Sequence, residues 1–340
     1  MRHRTCLFVI AALVMVASGS VGCADQSPRI TSAWPQASAE ATVAAPVGLS
    51  AWPLTGISKS ARARATRVAL AALFAPGPLS RELAGVGAAD AVYEWGGSGS
   101  NTQVEALLQS TMPAAAGPVG ASTPIAQAIA QQYRAVTGSL GSTGSPSAPK
   151  ASGQAMAMTP ASFPSAFGKG ASGLPGGVYL VAPKANAAIP SAAAAGQHPG
   201  RLFFSASVES TQPIASVTVP FSAKAAVRWG YRAKTGTYER TVQGTLQRDA
   251  LTKKTIAVRN VVVMWARSAE GGPASAPGDL SPVGSGQVSV FRGGVRLDGH
   301  WRASPDSPPR FTTDGGAPIL LAPGSTWFEV IPLTANITLK

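Results

Sequence analysis

Two carboxylates stand four residues apart at Asp90 and Glu94 in the run Ala89-Asp-Ala-Val-Tyr-Glu94. Acid–base hydrolysis needs two carboxyl groups that converge on one bond. This run alternates as a strand, so the two side chains share a side of it. They lie roughly 13 Å apart along its axis. If Asp90 sits instead in the turn before the strand, it caps that turn. His198 and His300 are far apart, lack metal-ligand spacing, and His300 reads as a surface residue. The chain contains no HExxH, GxSxG or P-loop pattern. Gly96-Gly-Ser-Gly-Ser100 has no following Lys to hold a phosphate. No cofactor and no metal site are expected.

These residues need elements to position them. Val68–Phe74, Ala91–Trp95 and Gln103–Leu108 read as strands, the last returning after a Gly-rich turn. Thr123-Pro124 opens a helix with Thr as its cap. Ile125, Ile129 and Tyr133 fall on one face of that helix. Ser80–Ala84 is expected to start a short helix, and 185–196 a second, interrupted by Pro190. From about Phe203 the character turns to β. Ser216–Phe221, Ala226–Arg232 and Tyr238–Gln243 alternate. Thr255–Ala266, the most β-branched run, reads as one central strand. Gln287–Phe291 and Val295–Asp298 form a hairpin around Arg-Gly-Gly. The closing stretch Ile319–Pro332, with Ala-Pro-Gly-Ser at its middle, predicts a final hairpin carrying a buried Trp327. Trp229, Trp265, Trp301 and Trp327 all lie in this β region and are expected in the core. The fold class that follows is α+β. A mixed α/β layer over 51–145 is joined by a Gly/Ala/Pro-rich linker over 146–200 to a β-hairpin-rich half over 201–340, the whole packed as one layered body.

The N-terminus reads as an export signal. A basic start through Arg4 precedes the apolar run Cys6–Val16, which is too short to span a membrane comfortably. Small residues then lead to Cys23, a pattern that resembles the lipobox of bacterial lipoproteins, although Ser20 departs from the usual Leu-like residue. Residues 1–22 are thus expected to leave, and Cys23 to carry lipid. Residues 23–50, rich in Ser, Ala and Pro, would form a tether. A plain signal-peptidase cut after Ala24 is the competing reading. With Cys6 removed and Cys23 acylated, the body has no disulfide and no thiol-bound metal. The expected address is the extracytoplasmic face of the cell membrane.

The chain has 28 basic and 15 acidic residues, a net charge of +13. Such a field favours anionic partners, but no run of five or more like charges appears. The expected partners are the bilayer through Cys23, and another envelope protein or an anionic wall polymer. No nucleic-acid partner is expected.

An ordered series of short motifs resembles the YerB-like bacterial lipoproteins, whose two domains of unknown function stand in tandem. The series includes Ala89 through Glu94, Gly117-Pro-Val119, Tyr231 with Tyr238-Glu-Arg240, Asp249, Asn260-Val261, Gly284-Ser-Gly286, Trp301-Arg302 and Leu321 through Trp327. Arg81 falls on an upstream Arg of the family. Several polar positions of the pattern are replaced here by Phe74, Ala75, Ser98, Gln103, Gly120, Thr123, Ser139, Gly176 and Gly177. The resemblance therefore implies a retained scaffold with few ionisable groups in its first half, and it transfers no catalytic role. Candidate ligand-cleft residues are Arg81, Asp90, Tyr93, Glu94, Tyr238, Arg240, Asp249, Asn260 and Trp301. The function expected is a non-catalytic envelope binding or scaffold protein, tied through the family to wall synthesis. An envelope hydrolase on glycan or phosphodiester and a charge-driven polymer binder are the alternatives.

Overall fold

Apolar runs buried on both faces set the centre of the molecule. The structure, a computed structural model, describes residues 51–59, 67–141, 156–190, 200–207, 212–222, 224–269 and 279–340. These lie within one compact unit, Ala44–Lys340. The expected signal, Cys23, the tether, His198 and most of the 270–284 loop lie outside the described residues, as does the part of the second expected helix beyond Pro190.

The first segment contains β1 Leu70–Leu73, β2 Gly77–Pro78, β3 Ala91–Gly96, β4 Asn101–Leu108, helix α1 Pro124–Tyr133, β5 Val136–Gly138, β6 Ala157–Met158, β7 Phe167–Lys169, β8 Val178–Leu180 and helix α2 Ala182–Ala187. A meander follows, of β9 Ser216–Ser222, β10 Ala225–Arg232, β11 Thr237–Val242, β12 Thr245–Leu246 and β13 Ala257–Val258. The last segment holds β14 Asn260–Ala266, β15 Gly284–Arg292, β16 Val295–Ser304, β17 Ser307–Thr312, β18 Pro318–Ile319, β19 Thr326–Pro332 and β20 Thr338–Leu339. The architecture is predominantly β.

Among the described residues a twelve-stranded sheet runs β18-β17-β16-β15-β14-β19-β3-β4-β1-β5-β6, with β2 beside β4. It joins strands from before and after the Gly/Ala/Pro-rich region. The junction is β19, parallel to β14 on one side and to β3 on the other. The closing stretch is therefore not a hairpin. Its first run, β18, pairs with β17 at the sheet's edge, while its second run crosses to the middle. Local alternation suits either arrangement. The six consecutive buried residues Thr326–Ile331 are the mark of a parallel central strand. Gly324 makes the crossing possible: its φ is +136°, and a Cβ there would meet Arg259 Cγ at 2.2 Å.

A six-stranded sheet, β12-β11-β10-β9-β20 with β13 on β11, covers one face of the large sheet. Val217, Val219, Val227 and Trp229 share a core there with Val92, Val261, Val263 and Trp327. On the other face Ile125, Ile129 and Tyr133 of α1 pack with Tyr93, Trp95 and Phe328. Each such side chain contributes roughly 1.5–3 kcal/mol when fully buried. The expected α1 is present, with Thr123 Oγ1 accepting from the Ala126 N–H at 3.5 Å. Two expectations need correction. Thr255–Ala266 is not one strand: the chain changes sheets at Arg259, between β13 and β14. Ser80–Ala84 is not helical. It forms a turn followed by single bridges at Leu83 and Ala84, because its carbonyls and N–H groups find partners across the chain.

Asn260 secures the crossing into β19. Its Nδ2 donates to Ala322 O at 2.9 Å and Thr326 Oγ1 at 3.1 Å, and its Oδ1 accepts from the Ala322 N–H at 2.7 Å. Asn260→Ala leaves those buried groups unpaired and is expected to cost roughly 2–3 kcal/mol. Urea unfolding checks this, as a lower midpoint with an unchanged slope. An unchanged midpoint would mean that the turn is held by other contacts.

Candidate functional site

Four ionisable groups, Arg81, Glu94, Arg240 and Glu329, converge between the two sheets. β3 alternates so that Ala91, Tyr93 and Trp95 face α1 while Val92 and Glu94 face the six-stranded sheet. On β19 the same parity sends Trp327 and Glu329 to that side, and Glu329 stands in register with Glu94. The two carboxylates thus sit on neighbouring strands, about 4.8 Å apart in the backbone. From the opposite sheet, β10 and β11 bring Trp229 and Arg240 side by side in register.

Arg240 Nη2 donates to Glu94 Oε2 at 2.7 Å and Oε1 at 3.0 Å. Thr102 Oγ1 also donates to Glu94 Oε1 at 2.7 Å. Arg81 Nη1 reaches Thr102 Oγ1 at 2.9 Å and Gly77 O at 2.8 Å, extending the network outward. Trp229 Nε1 donates to Glu329 Oε1 at 2.6 Å. The Arg240 guanidinium lies over the Trp327 ring at 5.1 Å and the Trp229 ring at 6.0 Å. Gln247 and Arg240 both donate to Leu79 O, Arg240 at 3.4 Å. Glu94, Glu329 and Arg240 are each 0% exposed.

Two acids share one close guanidinium, and the environment separates them. Glu94 takes the ion pair. Glu329 is pushed well above the usual carboxylate range, first by burial and then by the charge of Glu94, with Arg240 and the Trp229 hydrogen bond opposing. Burial lowers Arg81 to about 10, Glu94 opposing and Arg240 reinforcing. Six buried polar atoms here have no hydrogen-bond partner: Arg81 Nε and Nη2, Arg240 Nε, Gln247 Oε1, Trp327 Nε1 and Glu329 Oε2. Chemically the cluster can hold a proton on Glu329 and a fixed dipole between Glu94 and Arg240. In this conformation no substrate reaches its carboxylates, since all their atoms lie inside the core.

Of the nine candidate residues, the structure brings Arg81, Glu94 and Arg240 into this one network. The other six serve elsewhere. Asp90 precedes β3 and accepts from the Gln109 N–H, from the Ser110 N–H at 2.7 Å and from the Ser110 hydroxyl. Burial raises its pKa and these hydrogen bonds oppose the rise. Tyr93 points to the α1 side, where its hydroxyl meets that of Tyr133 at 2.8 Å and its ring stacks on Phe328 at 4.3 Å. Tyr238 Oη accepts from the Gly294 N–H at 3.1 Å. Asp249 accepts from the N–H groups of Gly87, Leu251 and Thr252, tying the two halves together. Asn260 holds the β19 crossing, and Trp301 donates to Trp265 O at 3.0 Å. Sequence reasoning passed over Glu329, Trp229 and Gln247 as site residues. It also passed over Glu105, which is fully buried on the α1 side and pushed well above the carboxylate range by burial. The available signal was an acid inside an otherwise apolar run, as in Thr-Trp-Phe-Glu-Val-Ile.

Residues 217–328 match the sequence family described as the C-terminal domain of a protein of unknown function, DUF3048. The crystal structure of the YerB protein from Bacillus subtilis is similar, with a TM-score of 0.70 and 23% identity, over 85% of this chain and 99% of that one. No curated protein matches. The resemblance drawn from the motifs is borne out: the fold is YerB-like across most of the chain, and residues 217–328 match the DUF3048 C-terminal domain.

Because the Glu329 carboxyl binds its proton more tightly folded than unfolded, its contribution is fully present below the unfolded carboxylate pKa. It is lost as pH rises from there toward the folded value. Glu329→Gln keeps an acceptor for Trp229 and has no proton to lose. The variant is expected to be more stable than the parent at pH 8, with the gap closing toward pH 5, measured by thermal melts across pH. A gap independent of pH would place the proton elsewhere.

Proposed function

We propose that this chain is a membrane-anchored, extracytoplasmic lipoprotein of the bacterial envelope that acts as a non-catalytic binding or scaffold protein, with a part in cell-wall assembly as the finer reading. The observation that carries the non-catalytic half is the enclosure of Glu94, Glu329 and Arg240, each 0% exposed. The residues best suited to acid–base work are occupied in joining two sheets. The anchored half rests on the sequence: an apolar segment, small residues, Cys23 and a Ser/Ala/Pro-rich stretch long enough to hold a folded body off a surface. A body built largely from sheets, with its polar chemistry turned inward, has its outer surfaces left for partners.

Fractionation tests the anchor. Wild type is expected in the membrane fraction and to incorporate a clickable palmitate analogue, while Cys23→Ser is released and unlabelled. Recovery of unlabelled wild type in the soluble fraction would replace anchoring with ordinary secretion. Crosslinking in intact cells then reads the binding role, as a reproducible partner lost when the folded body is deleted.

A further inference from the structure

The chain's positive charge is concentrated in one part of the fold. Residues 212–259, which form most of the six-stranded sheet, carry nine Lys and Arg against two acids, seven of the net thirteen positive charges. Arg240 and Asp249 are buried, so Glu239 is the acid left outside the core of this stretch. The sheet's inner face is apolar, with Val227, Trp229 and Tyr238 at 0% exposure. The alternation therefore turns Arg228, Gly230 and Arg232 of β10, and Glu239 and Thr241 of β11, to the outside. Arg248, two residues beyond Leu246, is also exposed.

These outward residues surround a recess of about 190 Å³ bordered by Arg228, Gly230, Arg232, Glu239, Thr241 and Leu246. The Arg228 guanidinium lies over Gly230, its Nη1 3.7 Å from where a Cβ would stand. Glu239 pairs with Arg232 at 2.6 Å, and Arg228 Nε donates to Ser216 Oγ at 3.3 Å. Both arginines are thus held by hydrogen bonds beside a space with room for a phosphate group. Guanidinium groups in such positions favour phosphate through paired N–H donors.

We infer that this outer face binds a linear polymer bearing repeated phosphate anions, with one phosphate seated between Arg228 and Arg232 and its neighbours over the surrounding bases. Charge complementarity selects a polyanion. The concave site selects a slender chain over a flat layer of lipid headgroups. Leu246, 38% exposed, is the large apolar side chain this face offers among the described residues, so it has little to insert into a bilayer. The choice of partner deepens the envelope reading proposed above and rests on it. The binding itself is read on purified protein, so it succeeds or fails independently of where the chain resides.

The test is titration of the purified full chain with poly(glycerol phosphate), beside phosphatidylglycerol vesicles, at low and high salt. Wild type is expected to bind the polymer with an affinity that falls steeply with salt. Arg228→Ala with Arg248→Ala is expected to weaken binding about tenfold, each lost contact removing a charge-assisted hydrogen bond. Lys169→Ala with Lys184→Ala, an equal loss of charge at exposed positions on another part of the fold, should change it less than about twofold. Gly230→Val keeps every charge and suits a strand, but sets its side chain against the Arg228 guanidinium, 3.7 Å from the Cβ, and should weaken binding as the double arginine variant does. Equal weakening by both charge pairs, no binding of polymer by wild type, or tighter binding to vesicles than to polymer would each overturn the inference.

Discussion

The contact between Glu94 and Arg240 closes the two sheets on each other, and the rest of the interior is arranged to make it tolerable. Removing a carboxylate and a guanidinium from water costs several kcal/mol per ion. The cost is offset here by two short Arg240–Glu94 hydrogen bonds, the Thr102 hydroxyl and the faces of Trp229 and Trp327. Apolar residues would supply comparable stability. A charged pair supplies direction, since a slip of one residue in β3 or β11 turns one partner to the wrong face and leaves the other unpaired. Hydrophobic contact between Val217, Val263 and their neighbours holds the sheets together without choosing one registration.

A second consequence falls on Glu329. Its strand is central and covered on both faces, and its carboxyl feels the charge of the same guanidinium. Burial, and after it the charge of Glu94, drives Glu329 toward its neutral form, and Trp229 donates a hydrogen bond to it. The asymmetry resembles the division of roles between paired carboxyls in hydrolases, but here both groups are sealed between layers. Acidic chemistry is turned inward while an excess of bases remains on the outer sheet. A single chain thereby presents a closed core and a positive exterior, which suits binding.

Much of the local structure is legible in residue order. Ala91–Trp95, Gln103–Leu108, the Thr123-capped helix and the Arg-Gly-Gly hairpin follow from alternation, capping and turn residues. Misreadings arise where two tertiary outcomes share one local pattern. Ile319–Pro332 has the turn and alternation of a hairpin, yet its second run is inserted between β14 and β3, because a strand buried on both faces can leave its neighbour. Thr255–Ala266 is continuously β-branched, and nothing in that composition marks the change of sheet at Arg259. Arg240 and Glu94 stand 146 residues apart, so neither period nor spacing couples them. They are candidates on separate grounds, Glu94 beside Asp90 as an acid–base pair and both through the family motifs. Glu329 is a lone acid in an otherwise apolar alternating run. Its burial depends on a second sheet that residue order alone does not place above it.

The most direct measurement of the central claim is a double-mutant cycle on Glu94→Gln and Arg240→Met, read by urea unfolding at pH 7. Each single change leaves one buried charge without its partner and is predicted to cost about 3–5 kcal/mol. The double variant is predicted to fall short of the sum by at least about 2 kcal/mol, the signature of a pair coupled across the sheets. Additivity within about 0.5 kcal/mol would contradict the account, because the two charges would then be solvated or satisfied independently and the registration of the sheets would rest on packing alone.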